Sequence, residues 1–275
     1  MSDGEIEGRR IVITGATDGI GLATARLLAA QGARLVLHGR DERRLAAALA
    51  EIGGGAERVR ADLASLAEVR ALVDTLGGAP IDVLVQNAGI GAGPDTTRRQ
   101  ESSDGFELRW AVNFLAPFAL AEWLVAAGHA PRAMVNVASI GQAVPDLEDL
   151  GMERHYEGWL AYRRAKLAMV AWTRELSRRH PELAVLSLHP GTFLATKMVT
   201  EVAVAPRGTV EDGARSVLAA VRRVLAGKGA GAFWDVDHEA PGAPESHDER
   251  LQLRLRALAA ESVARFGGGL AIDPV

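Results

Sequence analysis

Arg9-Arg10-Ile11-Val12-Ile13-Thr14-Gly15-Ala16-Thr17-Asp18-Gly19-Ile20-Gly21 is the stretch on which the reading of this chain turns. Ile11 to Ile13 form an apolar, β-branched run too short for a helix. It reads as a strand buried on both faces of a parallel sheet. Thr14 to Gly21 is a turn, and Ile20 to Gln31 carries helical spacing. Gly15 allows the sharp exit from the strand, Gly19 admits a phosphate close to the backbone, and Gly21 permits tight packing of helix on strand. Backbone N–H groups at the start of that helix would face a pyrophosphate.

Working outward, further strands are expected at 33–38, 57–60, 81–85, 133–137, 183–188 and 232–235. They alternate with helices at 41–52, 65–76, 106–127, 159–179, 210–225 and 248–265. Ser65 with Glu68 three residues on reads as a capping box. The alternation predicts an α/β fold, a single Rossmann-type doubly wound parallel sheet of about seven strands with helices on both faces. One domain is expected across 1–275, with a loose Gly-rich tail. Ligands of such sheets lie outside the carboxyl ends of the strands, where Gly15, Gly39, Asp62, Asn87, Ser139 and Pro190 fall.

The chain has 275 residues, 48% hydrophobic, a formal net charge of −4 and no cysteine. That balance offers nothing to nucleic acid or an anionic membrane surface. The missing thiols exclude disulfides and cysteine nucleophiles. Met1 to Gly8 are acidic, with no apolar signal-like segment. Ala111–Ala127 is apolar, but Pro117 and Glu122 interrupt it short of a membrane span. A cytoplasmic protein is expected. Glu148, Asp149, Glu153 and His155 read as solvated loop polarity, so no metal site is expected.

Tyr162 and Lys166 stand four apart, on one face of a helix. A phenol with a pKa near 10 is a poor acid or base at neutral pH. A neighbouring ammonium, or a positively charged nicotinamide, stabilises the phenolate and opens proton exchange with an alcohol oxygen. The sequence holds only three lysines and two tyrosines, so this spacing is an unusual coincidence. Tyr156, the other tyrosine, has Leu160 at the matching position. Ser139, at a strand's carboxyl end, reads on its own as a turn serine able to orient a substrate oxygen. Pro117 has no N–H, so the Asn113 carbonyl loses its usual helical partner and is expected to hold a water near Lys166.

Thr14-Gly15-Ala16-Thr17-Asp18-Gly19-Ile20-Gly21, Asn87-Ala88-Gly89, Asn113, Ser139, Tyr162-Arg163-Arg164-Ala165-Lys166 and Pro190-Gly191 together resemble the short-chain dehydrogenase/reductase family, over about residues 9–235. The resemblance implies a Rossmann-type fold and hydride transfer with NAD or NADP. It makes Tyr162 the proton donor or acceptor, Ser139 the group that polarises the carbonyl, Lys166 the ribose ligand that lowers the tyrosine pKa, and Asn113 the support of a proton relay. It places the cofactor against Gly15, Thr17, Asp18, Gly19, Ile20 and Gly21. Asp62 and Leu63 would meet the adenine, with Asn87, Ala88 and Gly89 lining its pocket. Pro190, Gly191 and Thr192 would lie along the nicotinamide.

The second strand ends His38-Gly39-Arg40-Asp41. A glycine stands where an acid would take the ribose hydroxyls, and an arginine follows. NADP(H) is therefore expected in preference to NAD(H). Segments 141–158 and 192–209 read as substrate loops. Val144, Leu147, Leu150, Met152 and Trp159, with Phe193, Leu194, Met198 and Val199, suggest a bulky lipophilic carbonyl or alcohol. The long gap from Ser139 to Tyr162, His189-Pro190-Gly191 and a further C-terminal helix are similar to the retinol-dehydrogenase-like branch. A non-redox enzyme on this scaffold and a nucleotide-sensing protein are the other readings. The resemblance also implies association between copies through the long helices.

Overall fold

The computed structural model describes residues 5–200 and 205–267. The acidic N-terminal residues 1–4, positions 201–204 of the second substrate loop and the tail from 268 lie outside the described residues. The first elements are β1 (Arg10–Ile13), α1 (Gly19–Ala29), β2 (Arg34–Gly39), α2 (Glu42–Ile52), β3 (Glu57–Arg60), α3 (Leu66–Leu76) and β4 (Val83–Gln86). Two helical pieces follow, α4 (Leu108–Trp110) and α5 (Ala116–Ala126), then β5 (Ala133–Val137) and α6 (Gly158–Arg179). The chain continues with β6 (Ala184–His189), α7 (Lys197–Thr200), α8 (Val210–Leu225), β7 (Phe233–Asp235), β8 (His238–Ala240) and α9 (Glu249–Ala264).

The strands form one sheet in the order β3-β2-β1-β4-β5-β6-β7-β8. β1 lies between β2 and β4, so the order reverses beside the glycine turn. Ile11, Val12 and Ile13 are fully buried, as their apolar run predicts. Ile11 and Ile13 pack with α1, α2 and α8, whereas Val12 faces the layer of α3, α5, α6 and α9.

The sheet departs from the all-parallel, seven-strand expectation. An eighth strand, β8, pairs antiparallel with β7. The two-residue connection Val236-Asp237 makes this hairpin, with Val236 at φ 57. The expected helix 106–127 is also not uniform. Between α4 and α5 the turn Ala111–Leu115 is widened, and the Ala116 N–H reaches the Ala111 carbonyl. Pro117 withholds the N–H that would continue the tighter ladder. The capping box at α3 is half formed. Ser65 Oγ accepts from Glu68 N at 3.3 Å, but the Glu68 carboxylate accepts from Asp62 N at 2.8 Å instead of turning back to Ser65.

α9 buries Leu255, Ala259, Ala260 and Val263 in the layer that holds α5 and α6. It therefore covers part of the long-helix surface to which the resemblance assigns contacts between copies. Among the described residues no helix is long and apolar enough to cross a membrane.

The tightest point of the fold is the contact of α1 with the turn below it. A Cβ at Gly21 would lie 2.1 Å from the Gly15 carbonyl oxygen and 2.5 Å from Asn87 Nδ2. The first of these neighbours is backbone and cannot step aside. Gly21→Ala is therefore expected to lower the unfolding free energy by about 2 kcal/mol or more, read as a fall in the urea midpoint.

Candidate active site

The carboxyl ends of the strands open into a cleft of about 530 Å³. Gly15 leaves β1 at φ 67, a left-handed conformation that suits glycine. A Cβ there would meet Ala88 Cα at 2.9 Å, so the turn and the exit of β4 are in backbone contact. Polar groups lock this contact. Asn87 Nδ2 donates to the carbonyls of Thr14 at 2.9 Å and Gly15 at 3.2 Å, and Ala88 N donates to Thr14 Oγ1 at 3.0 Å. Asp18 caps α1 by accepting from Gly19 N at 2.7 Å. Thr17 lies over Gly39, where a Cβ would come within 2.5 Å of its methyl carbon. Backbone and small side chains thus floor the cleft where a dinucleotide would lie, so the site fits that group.

Thr17, Asp18, Gly19, Ile20 and Gly21 line this end of the cleft, as do Arg40, Asp62 and Leu63. Asn87, Ala88 and Gly89 form its middle, and Pro190, Gly191 and Thr192 flank the far side. Asp41, which follows Arg40, caps α2 and accepts from Arg44 N at 2.9 Å. Asp62 accepts from Ala64 N at 2.9 Å.

Ser139, Tyr162 and Lys166 converge on the same cleft. Ser139 follows β5 and accepts from Gly141 N at 3.1 Å. Burial raises the Tyr162 pKa, and a hydrogen bond with Ser139 opposes that rise. The edge of the Trp159 ring meets Tyr162 with centroids 6.0 Å apart. Lys166 is 3% exposed. Its ammonium donates to the Val137 carbonyl at 2.8 Å and stands 5.7 Å from the Tyr162 ring centroid. Burial pushes its pKa down to about 8. Burial dominates both groups and favours their neutral forms.

Asn113 does not line the cleft. Its side-chain amide accepts from Ile90 N at 2.8 Å and donates to Ile90 O at 2.9 Å, which ties the widened helical turn to the strand exit. Asn113 Oδ1 and Lys166 Nζ nevertheless both approach Gly89, at 3.2 and 3.6 Å from its would-be Cβ.

The two apolar loops divide differently from expectation. Phe193, Leu194, Met198 and Val199 line the cleft, as does Trp159. Met152 is buried, and Leu147 and Leu150 pack against the core. These three fasten the 141–158 segment to the body of the protein. Val144 remains exposed at 43%.

Further residues line the cleft. His38 accepts from Gly15 N at its Nδ1, 3.3 Å away, and its Nε2 donates to the Ala61 carbonyl at 3.0 Å. Arg44 reaches back from α2 to Asp18 at 2.6 Å. His189 is buried with Nδ1 unpartnered, while its Nε2 pairs with Thr192 Oγ1 at 3.0 Å. Only position at a strand's carboxyl end could have singled out His38, whereas His189 already stood in the His189-Pro190-Gly191 motif. Among the described residues no cluster of three potential metal ligands occurs.

A family model of short chain dehydrogenases matches residues 9–206. A Streptomyces protein provisionally named daunorubicin C-13 ketoreductase is 39% identical over 68% of this chain and 67% of its own length. Human retinol dehydrogenase 13 is 32% identical over 95% of this chain and 86% of its own. An uncharacterised protein from Mycobacterium paratuberculosis superposes with a TM-score of 0.79 at 32% identity, covering 94% of each chain. A 3-ketoacyl-(acyl-carrier-protein) reductase from Brucella melitensis, solved with NADH, gives a TM-score of 0.63 at 25% identity, over 84% of this chain and 97% of that one. A blue fluorescent protein from a metagenomic library, solved with NADPH, gives 0.65 at 26% identity, over 85% and 98%.

The His38 clamp carries a pH dependence. Burial pushes its pKa from 6.5 down to about 4 in the folded chain. Between those values the unfolded chain holds the proton and the folded chain does not, so stability falls as pH falls. Between pH 7 and 4.5 the wild type is expected to lose about 2 kcal/mol more than His38→Gln, compared by urea unfolding.

Proposed function

Since the chain belongs to the short-chain dehydrogenase/reductase family, whose members act between alcohols and carbonyl compounds with NAD(P)(H), we propose that it is an NADP(H)-dependent reductase of a ketone or aldehyde on a lipophilic small molecule. The convergence of Ser139, Tyr162 and Lys166 at one cleft carries this reading. The dinucleotide, when bound, supplies the hydride for reduction and accepts it for oxidation. Ser139 Oγ and the Tyr162 hydroxyl hold the carbonyl oxygen between them. Tyr162 gives its proton to that oxygen as negative charge develops there.

Burial makes this division of labour physical. Tyr162 stays protonated near neutral pH and is therefore a competent acid for reduction. Lys166 holds a proton that can replace the one the phenol gives up, and its lowered pKa eases that transfer. Its backbone anchor on Val137 fixes it beside the ring. Asn113 positions Ile90, and with it the adjoining Gly89, beneath the ammonium.

The NADP preference rests on charge at the end of β2. Gly39 presents no carboxylate to the ribose, and Asp41 is engaged as a helix cap. Arg40 is exposed at the cleft and offers a guanidinium to a 2′-phosphate. The lipophilic preference rests on Ile140, 55% exposed at the rim, together with Trp159, Phe193 and Met198.

Tyr162→Phe is expected to lower kcat for NADPH-linked carbonyl reduction by about 10²- to 10⁴-fold, while NADPH binding persists. NADPH absorbance and cofactor titration read the two separately, and unchanged turnover would remove the proton-transfer role. Arg40→Ala is expected to raise the KM for NADPH by about tenfold and to leave that for NADH within about twofold. Equal effects on both cofactors would dispose of the phosphate contact.

A further inference from the structure

The charges that line the cleft are unevenly placed. Asp18, Asp41 and Asp62 all lie at the nucleotide end, beside Arg40 and Arg44. Among the described residues, the half formed by Ile140, Gly141, Trp159, Arg163, Phe193 and α7 contains no carboxylate. It does contain two cationic residues, Lys197 on α7 and Arg163, the residue directly after Tyr162.

Arg163 is exposed, and its guanidinium has no hydrogen-bond or ion-pair partner among the described residues. The arginines around the rest of the molecule commonly have carboxylate partners, as Arg44 and Arg154 do. The backbone of Arg163 is held in place, because its carbonyl accepts from Ala143 N at 3.1 Å. Its stem lies over Gly141. A Cβ at Gly141 would be 3.6 Å from Arg163 Cγ and 3.5 Å from Ser139 Oγ. The arginine stem and the hydroxyl assigned to the carbonyl oxygen thus approach one point from two sides. Gly141 leaves that point open.

We propose that Arg163 is the specificity-determining residue for an acidic substrate, a lipophilic keto acid whose carboxylate docks on the Arg163 guanidinium while its carbonyl meets Ser139 and Tyr162. The proposal rests on the reductase reading above and narrows its substrate class. An arginine fork takes a carboxylate through two parallel hydrogen bonds. The apolar rim of Ile140, Trp159, Phe193 and Met198 receives the alkyl tail. Among the described residues, the lining of this half offers a cationic carbonyl compound no carboxylate partner.

The test compares γ-oxodecanoate with its methyl ester, which has nearly the same shape and no charge. The NADPH-dependent kcat/KM is expected to be about tenfold higher for the acid, with the difference residing in KM and narrowing as salt is raised. Arg163→Glu should lower the acid-to-ester ratio by at least about tenfold, and Arg163→Lys should retain part of it, since lysine keeps the charge but not the fork. Equal use of acid and ester by the wild type, or an equal loss on both in Arg163→Glu, overturns the proposal and leaves the reductase reading standing. If neither compound consumes NADPH, the reductase reading has failed for this class. Binding of decanoate and methyl decanoate to the NADP⁺-loaded protein then decides the charge question. A preference for decanoate that Arg163→Glu abolishes upholds the anion subsite, and equal affinities reject it.

Discussion

The structure depends on a space too small for one carbon atom. Gly21 faces the carbonyl of Gly15 so closely that even a methyl group there would collide with backbone. This contact seats α1 directly on the end of β1 and aims its first N–H groups over the sheet. Gly15 in turn touches Ala88, so the first and fourth strands leave the sheet together. Thr14, His38 and Asn87 then hydrogen-bond the turn to the neighbouring strand ends. These hydrogen bonds hold the cradle in place, and its glycines leave it open.

The electrostatics of the cleft follow from how its acids are employed. Asp18 caps α1 and pairs with Arg44, Asp41 caps α2, and Asp62 bonds the following loop. Each carboxylate that might repel a phosphate therefore has a structural partner. At the opposite end, burial governs Tyr162 and Lys166. A dry phenol resists ionisation and a dry ammonium loses its proton more readily, so burial moves the two groups apart in proton affinity.

Much of this was legible in the residues. The apolar run at 11–13, the glycine spacing and the alternation of elements located every strand of the parallel sheet to within about two residues. The residues expected to hold the cofactor line the cleft, as do Ser139, Tyr162 and Lys166, whereas Asn113 does not. What escaped notice has identifiable causes. β8 is three residues long and mostly exposed, so it lacks a periodic signature. Glu68 chose Asp62 over Ser65 because the β3–α3 connection brought a second N–H within reach. Leu147, Leu150 and Met152 resemble pocket residues in sequence, yet they hold their loop to the core.

By itself the sequence determined which local elements form and which chemical groups stand at strand ends, because hydrophobic period, glycine placement and the four-residue step of a helix are properties of neighbouring residues. Tertiary structure decided what those groups experience. The fall of the Lys166 pKa to about 8, the neutral clamp at His38 and the open guanidinium of Arg163 beside Gly141 all arise from elements distant in the chain. Desolvation and proximity are fixed only when the layers close on one another, and no local pattern encodes them.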